Sequence, residues 1–422
     1  MDDKLIYLGI LIIFMTGIAI VKQYEVRLVL FLSGLLMAAL AGKPLEAIDA
    51  FAKAMVNPGL VTVILTVMGF AYVMKLTQCD AHLVHMLAGM LRKCRPILIP
   101  GTVIVTFLIN IALPSAAGCA AAVGAIMIPT LISAGIHPAI AGAAIFAGTF
   151  GSVLSPGATH NPFVAKLANM DVLSVIAVHS TTTIIAGLIG AVVLTIVAYL
   201  RKEHSGYQSA EDKGIDTKIH FKVNFLKALV PIVPLVMLVL GSKQLHVIPE
   251  ISVPQAMICG TILGYLITLH NPQEISKAFF EAMGTAYAGV MGIIIAAATF
   301  TTGMQLIGLT DALIEGMKHS ESIVKVAATF GPFIIAVLCG SGDAATLAFN
   351  GAITPHAEQF GLGIAQLGSL AQLTGALGRT MSPLAGAAII CAQLAGVNPI
   401  EIAKRNAPGM LIAAVASMFL LL

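Results

Sequence analysis

Apolar runs of spanning length succeed one another along this chain, starting near Leu5, Val29, Val61, Ala139, Val172, Phe225, Val253, Gly289, Ile364 and Pro408, with short polar turns between them. A helix needs roughly 17–25 apolar residues to cross a bilayer, so the pattern predicts about ten transmembrane helices. The runs are themselves interrupted. Between Pro96 and Ala165 there is no Asp, Glu, Lys or Arg, yet polar and helix-breaking residues cluster at 114–118 (Pro-Ser-Ala-Ala-Gly) and at 151–162, where Ser155-Pro156 precedes Thr159-His160-Asn161-Pro162. A second pair of interruptions lies at 340–346 and 378–386, and the spacing recurs: Ser115 to Ser155 is 40 residues and Ser341 to Ser382 is 41. Backbone freed from its hydrogen bonds in hydrocarbon costs several kcal/mol per group, so unwound chain at membrane depth is tolerated where it lines a cavity or is buried in protein. Matched breaks in two halves predict a central site of the kind transporters build. Each half is expected to carry one re-entrant hairpin, tipped at 114–118 or 340–346, and one broken helix.

The duplication extends beyond the breaks. Residues 43–55 align without gaps with 271–283 at an offset of 228, six positions being identical, and both segments read as short amphipathic helices lying in the membrane interface. The one long polar segment, 201–224, separates the copies as a cytoplasmic linker. The expected organisation is a first repeat over 1–200 and a second over 225–422. Five spans plus a hairpin is an odd count, so the second copy is expected to be inverted. With both termini outside, Lys22, Arg27, Lys75, Arg92, Lys93, Arg95, the linker and Lys404 and Arg405 fall in the cytoplasm, as the positive-inside bias prefers; Lys43, Lys53, Lys166, Lys243, Lys318 and Lys325 fall opposite.

Composition agrees: 58% of the 422 residues are hydrophobic, 10% are charged and mean hydropathy is +0.96, whereas soluble domains carry about 25% charged residues. The fold class is therefore an all-α polytopic membrane protein. A net charge of +3 without a basic stripe excludes nucleic acid as a partner. Forty glycines and no tryptophan suit close helix packing. The N-terminal run, Leu5 to Val21, lacks a cleavage signal and reads as a retained span. Cys79, Cys94, Cys119, Cys259, Cys339 and Cys391 make no metal or redox spacing and read as small core residues. No phosphate-binding GxxxxGK[ST] motif occurs, which argues against ATP as the energy source. No cofactor is implied beyond a coupling ion, Na⁺ or H⁺.

Candidate chemistry gathers at the breaks. At the tips, Ser115, Ala116 and Gly118, and Ser341 and Gly342, stand where one helix ends and another begins, so that orphan N–H groups face a small anion. Hydroxyls of Ser155, Thr159, Thr380 and Ser382, with His160 and Asn161, would complete a substrate site. Packing kinks explain a single such break as well; four at duplicated spacing favour a site. Arg379 is a cation inside an apolar stretch, and an unpaired charge there costs at least ~2.5–3.5 kcal/mol. Its partner is either a substrate carboxylate, matched by the guanidinium fork, or Asp343 or unwound carbonyls. Asp343 is read either as an ion-coupling residue, carrying H⁺ or holding Na⁺ with Ser115 and Ser341, or as a helix N-cap. A nucleophile–base pairing of Ser115 with His160, which would make an intramembrane hydrolase, has no supporting motif.

The run Leu377-Gly-Arg-Thr-Met-Ser-Pro-Leu-Ala-Gly386, followed by 398–405 (Asn-Pro-Ile-Glu-Ile-Ala-Lys-Arg), resembles the corresponding stretch of the DcuC family of anaerobic four-carbon dicarboxylate carriers. Met68-Gly-Phe-Ala-Tyr72, 114–118 and Gly340-Ser-Gly342 stand at similar places, so the resemblance covers nearly the whole chain. It implies the ion-transporter superfamily architecture, with inverted repeats, opposed hairpins, a scaffold that forms a homodimer, and a transport domain moving as an elevator. It also implies fumarate, succinate, malate or aspartate as substrate, coupling to H⁺ or Na⁺, and a bacterial inner membrane as location. Arg379, Ser382 and Pro383 carry over as motif positions; His160 and Asp343 rest on the residue reading alone. Another organic anion or amino acid, Na⁺/H⁺ exchange, and a channel are the alternatives left open.

Overall fold

The computed structural model describes residues 3–22, 24–91, 97–207, 221–241, 247–312 and 321–422. Arg92, Lys93, Cys94 and Arg95, Lys243, Lys318 and the middle of the predicted linker, 208–220, lie outside the described residues. Among the described residues every regular element is helical. The first half runs α1 (Asp3–Val21), α2 (Val26–Leu40), α3 (Pro44–Met55), α4 (Pro58–Leu76), α5 (Cys79–Leu91), α6 (Leu98–Ala112), α7 (Ala116–Ser133), α8 (Pro138–Gly148), α9 (His160–Leu167) and α10 (Val172–Leu200). The second runs α11 (Phe225–Leu229), α12 (Val233–Leu240), α13 (Val253–Thr268), α14 (Pro272–Ala286), α15 (Gly292–Leu306), α16 (Glu321–Cys339), α17 (Gly342–Ala352), α18 (Ile364–Arg379), α19 (Gly386–Ala395) and α20 (Pro399–Leu421).

Helix starts follow from sequence chemistry. Proline occupies the first turn of α3, α4, α8, α13, α14 and α20, where its missing N–H has no partner to lose and its fixed φ suits the helix. Ser115, Asp171, Asn271, Ser341 and Asn398 cap their helices through side-chain oxygens.

Two groups of helices form the molecule. In one, α2 and α3 pack on α15, while α13 and α14 pack on α4. In the other, α7 packs on α19 and α17 on α9; α8 meets α19 and α20, and α18 meets α9 and α10; α10 and α20 lie side by side. Each of these contacts between halves has a counterpart with the halves exchanged. The largest core cluster lies in the second group and is built from small side chains such as Ala120, Ala143, Ala144 and Ala388 with Met127, Ile145 and Phe146. Small residues allow the close helix approach that holds membrane bundles together. Between the groups the exchange symmetry is uneven: α17 packs on α15 and α9 on α4, with no comparably extensive counterparts among the described residues.

Span lengths differ from the expectation of about ten helices of spanning length. Among the described residues, Ala116–Ser133, Val172–Leu200 and Pro272–Leu306 are long and apolar enough to cross a membrane, or up to five spans if the bent pairs Pro44–Met55 with Leu60–Leu76 (48°) and Gly386–Ala395 with Pro399–Leu421 (117°) each count as one. The remaining apolar helices are shorter pieces of 10–17 residues. One reason is that a hairpin arm, α7, is itself of spanning length. Another is that α14, predicted to lie alone in the interface, continues through a π segment, Tyr287–Met291, into α15. Pro408, where a span was expected to begin, sits inside α20, which starts at Pro399. Cys79, Cys119 and Cys391 are buried, Cys339 is half-buried, and Cys259 is exposed on α13, unlike the core position expected of it.

Candidate functional site

The two helix-turn-helix tips, at 113–115 and 340–341, point at one another across a cavity of about 300 Å³. Ser115 Oγ accepts the Gly118 N–H at 3.1 Å and Ser341 Oγ accepts the Ala344 N–H at 3.3 Å. That leaves the preceding first-turn N–H groups of α7 and α17 without a partner inside their helices. Gly340 at the second tip is required twice over. Its φ is +74°, and an added Cβ would lie 2.7 Å from the backbone carbon of Leu384 in the second break.

Each tip is tied to the break beside it. Asn110 Nδ2 donates to the Leu113 carbonyl at 3.0 Å while its Oδ1 accepts the Ser152 N–H at 2.8 Å. Ser382 Oγ donates to the Val337 carbonyl at 2.7 Å and accepts the Leu384 N–H at 3.2 Å. Unwound carbonyls are satisfied from below: Asn161 Nδ2 donates to Val153 O and Ser155 O, both at 2.8 Å, and Asn406 Nδ2 to Thr380 O at 3.2 Å. Behind Asn161, the fully buried His179 and Gln372 complete a polar cluster, with His179 Nε2 3.1 Å and Gln372 Nε2 2.9 Å from Asn161 Oδ1. Such a network fixes the break's geometry, because each member left unpaired in an apolar interior costs about 1–3 kcal/mol.

Charged side chains join the two halves at two places. His160 Nε2 lies 2.9 Å from Asp343 Oδ1, joining the first break to the second tip, and the Asp343 side chain is 51% exposed toward the cavity. Arg379 Nη2 donates to the Thr149 carbonyl at 2.8 Å, with Nη1 3.4 Å from Thr149 Oγ1. Of the partners weighed for Arg379, its direct bonds therefore go to an unwound carbonyl of the opposite half, and Asp343's go to His160.

Among the residues singled out from sequence, Ser115, Ala116, Thr159, His160, Ser341, Gly342, Asp343 and Arg379 line the cavity. Ser155, Asn161, Thr380 and Ser382 do not: all four are at least 98% buried and spend their polar atoms on backbone groups of the breaks and of the adjoining helices α16 and α18. Gly118 stands behind the first tip, its N–H taken by Ser115. The pairing of Ser115 with His160 is not formed, since each already has another partner. Ser152, the anchoring Asn110, His179 and Gln372, and the apolar lining residues Ile64, Met68 and Val290 were not anticipated. Asn110 and Gln372 were legible as amides within apolar runs; the others had no local signal. No group of three or more His, Cys, Asp or Glu side chains that would hold a metal occurs among the described residues. A Na⁺ held at the tips would instead rely on hydroxyl, carbonyl and single carboxylate oxygens of the kind Ser115, Ser341 and Asp343 supply.

Two relatives and one solved structure bear on this arrangement. An uncharacterized transporter of Haemophilus influenzae is 44% identical over 270 residues, covering 62% of this chain and 97% of that one. The anaerobic C4-dicarboxylate transporter DcuC of Escherichia coli K12 is 26% identical over 323 residues, 74% of this chain and 68% of its own. In fold, the chain is similar to Neisseria gonorrhoeae MtrF, of a class of antimetabolite efflux pumps, at a TM-score of 0.64 and 14% identity, over 89% of this chain and 83% of that one. Residues 5–422 match the DcuC family, the C4-dicarboxylate anaerobic carriers, and the chain accordingly belongs to that family of membrane transporters rather than to any class of enzyme.

Proposed function

We propose that the protein is a secondary carrier of four-carbon dicarboxylates, fumarate, succinate, malate or aspartate, working by elevator-type alternating access. The observation that carries this reading is how the cavity wall is divided. Every polar lining group, Ser115, Ser152, Thr159, His160, Ser341, Asp343 and Arg379, comes from the α6–α9 and α16–α19 group, whereas α4 and the π segment before α15 contribute Ile64, Met68 and Val290. A dianion held by the tips, the breaks and Arg379 would thus travel with one group, while the other offers it an apolar wall with nothing to bind.

Inverted repeats supply the second state. The contacts of α17 with α15 and of α9 with α4 have no comparably extensive exchanged counterparts among the described residues; swapping the conformations of the halves builds those counterparts, releases the present contacts, and opens the cavity to the opposite side. In this account α2–α4 and α13–α15 are the scaffold and carry the dimer surface, the boundaries of the repeats are 1–200 and 225–422, and the termini are periplasmic on a bacterial inner membrane. Gradients of Na⁺ or H⁺ drive the movement.

The test is exchange in proteoliposomes loaded with succinate. Labelled fumarate is expected to enter saturably, and imposing a Na⁺ or a pH gradient in turn identifies the coupling ion. A folded preparation that takes up no fumarate removes the substrate assignment.

A further inference from the structure

One helical turn from the central cavity lies a second one, of about 400 Å³, between α3, α4, α9, α15 and α17. Its polar lining comprises Lys53, Asn57, Lys166, Thr301, Thr302 and Gln305, with no carboxylate. Lys53 belongs to the last turn of α3 and Lys166 to the last turn of α9. Cations at helix C-termini complement the helix dipole, which explains each lysine alone. It does not explain why helices from two different groups bring both to one hollow, where neither makes an ion pair among the described residues.

The two cavities share their walls. Leu60, Phe163 and Ile294 line the outer one, and Ile64, His160 and Val290, each three or four residues away on the same helices, line the inner one. Leu60, Ile64 and Ile294 belong to a single apolar cluster against which Phe163 and Val290 pack. The partition between the cavities is therefore a few apolar side chains at the boundary of the two helix groups, the boundary that alternating access must shift.

Resting on the dicarboxylate reading above, we propose that this outer cavity is a vestibular subsite for the same carboxylate dianion, in which Lys53 and Lys166 collect the substrate before the partition at Phe163 admits it to the central site. Two ammonium groups in a recess with low-dielectric walls raise the local concentration of a dianion. Asn57, Thr302 and Gln305 can hydrogen-bond a carboxylate without holding it so tightly that it fails to move on. Under the orientation proposed above, the vestibule opens to the periplasm.

The experiment compares wild type with Lys53→Gln, Lys166→Gln and the double variant in proteoliposomes, measuring labelled fumarate uptake from each side. Ionic strength is set at about 20 mM and then about 200 mM, over which the Debye length falls from roughly 20 Å to about 7 Å. The double variant is expected to raise KM about fivefold at low salt, from one face only and with maximal rate unchanged, the gap closing below about twofold at high salt. Both side chains are exposed, so the variants should fold, and thermal melting in detergent verifies it. Wild-type KM in the double variant at low salt, or a KM increase that salt leaves unaltered, overturns the vestibule while leaving the carrier reading intact. Absence of fumarate flux in wild type overturns both.

Discussion

Gly157, in the first break, sits against α4 at the boundary between the two helix groups. A Cβ placed there would lie 2.3 Å from Val67 Cγ1 and 2.8 Å from Cγ2. Val67 is 2% exposed and branched at Cβ, so it has few rotamers into which to retreat. Gly157→Ala therefore overpacks this contact, at about 1–3 kcal/mol. If the contact belongs to one transport state and dissolves in the other, that energy falls on one side of the cycle and depopulates the present state by roughly 5- to 150-fold. Fumarate exchange should slow by at least about fivefold. Val67→Ala leaves a void and costs stability by itself, but combined with Gly157→Ala it should restore much of the rate, because the new methyl then has room. The assay is a double-mutant cycle on exchange rate and on melting temperature. A coupling energy above about 1 kcal/mol supports the reasoning; additivity within about 0.5 kcal/mol, or normal exchange in Gly157→Ala, refutes it.

Other expectations follow from the same contacts. Arg379→Ala should abolish fumarate exchange, and Arg379→Lys should recover little, since one ammonium cannot serve both Thr149 and a carboxylate as the planar fork does; substantial exchange in either variant would detach Arg379 from the site. Asp343→Asn leaves His160 a neutral partner and should reduce exchange at least about tenfold without lowering the melting temperature by more than a few degrees, because the pair faces the cavity and the loss is on the order of 1 kcal/mol. Glu203, just after α10, is bound by Arg405 through Nε–Oε2 at 2.8 Å and through Nη2–Oε1. Burial pushes its carboxyl upward, but the hydrogen bonds and charge of Arg405, with Arg201, outweigh it and hold the pKa below its ordinary 4.5. A depressed carboxylate contributes stability that is present above that value and lost as pH falls through the folded one. Wild type should thus melt progressively lower as pH drops below 4.5, and Glu203→Gln, less stable near neutrality, should lack that part of the slope; parallel curves would refute the assignment.

What the sequence made legible was the chemistry that acts locally. Ser115 and Ser341 cap helices at the anticipated tips because serine before a run of small residues does so wherever it falls. The breaks predicted at 151–162 and 378–386 overlap the observed interruptions, which run from the end of α8 to His160 and from Arg379 to Gly386, where Pro156 and Pro383 oppose continuous helix. Facing was not legible. Ser155, Thr380 and Ser382 lie in unwound chain and Asn161 in the first turn of the short α9, where no sustained period fixes a direction, and all four turn inward: Asn161 to the carbonyls of Val153 and Ser155, Ser155 to the Gly157 N–H, and Thr380 and Ser382 to the carbonyls of Ala376 and Val337. Long-range partnerships were equally hidden: nothing near Arg379 names Thr149, 230 residues away, and nothing near Asp343 names His160. The continuity of α14 with α15 escaped notice because a π segment carries a helix through a Gly-containing stretch without proline or polar residues to mark it.

The central claim is that one dicarboxylate-holding cavity, built by the moving group, opens to the two sides in turn. Ser152 lines that cavity, so Ser152→Cys, in a chain whose other cysteines are replaced and which still exchanges fumarate, places a reporter on its wall. Labelling with a membrane-impermeant maleimide should proceed from either side of proteoliposomes and be slowed from both by saturating fumarate. Labelling from one side only, or labelling that fumarate leaves unchanged, would contradict the account.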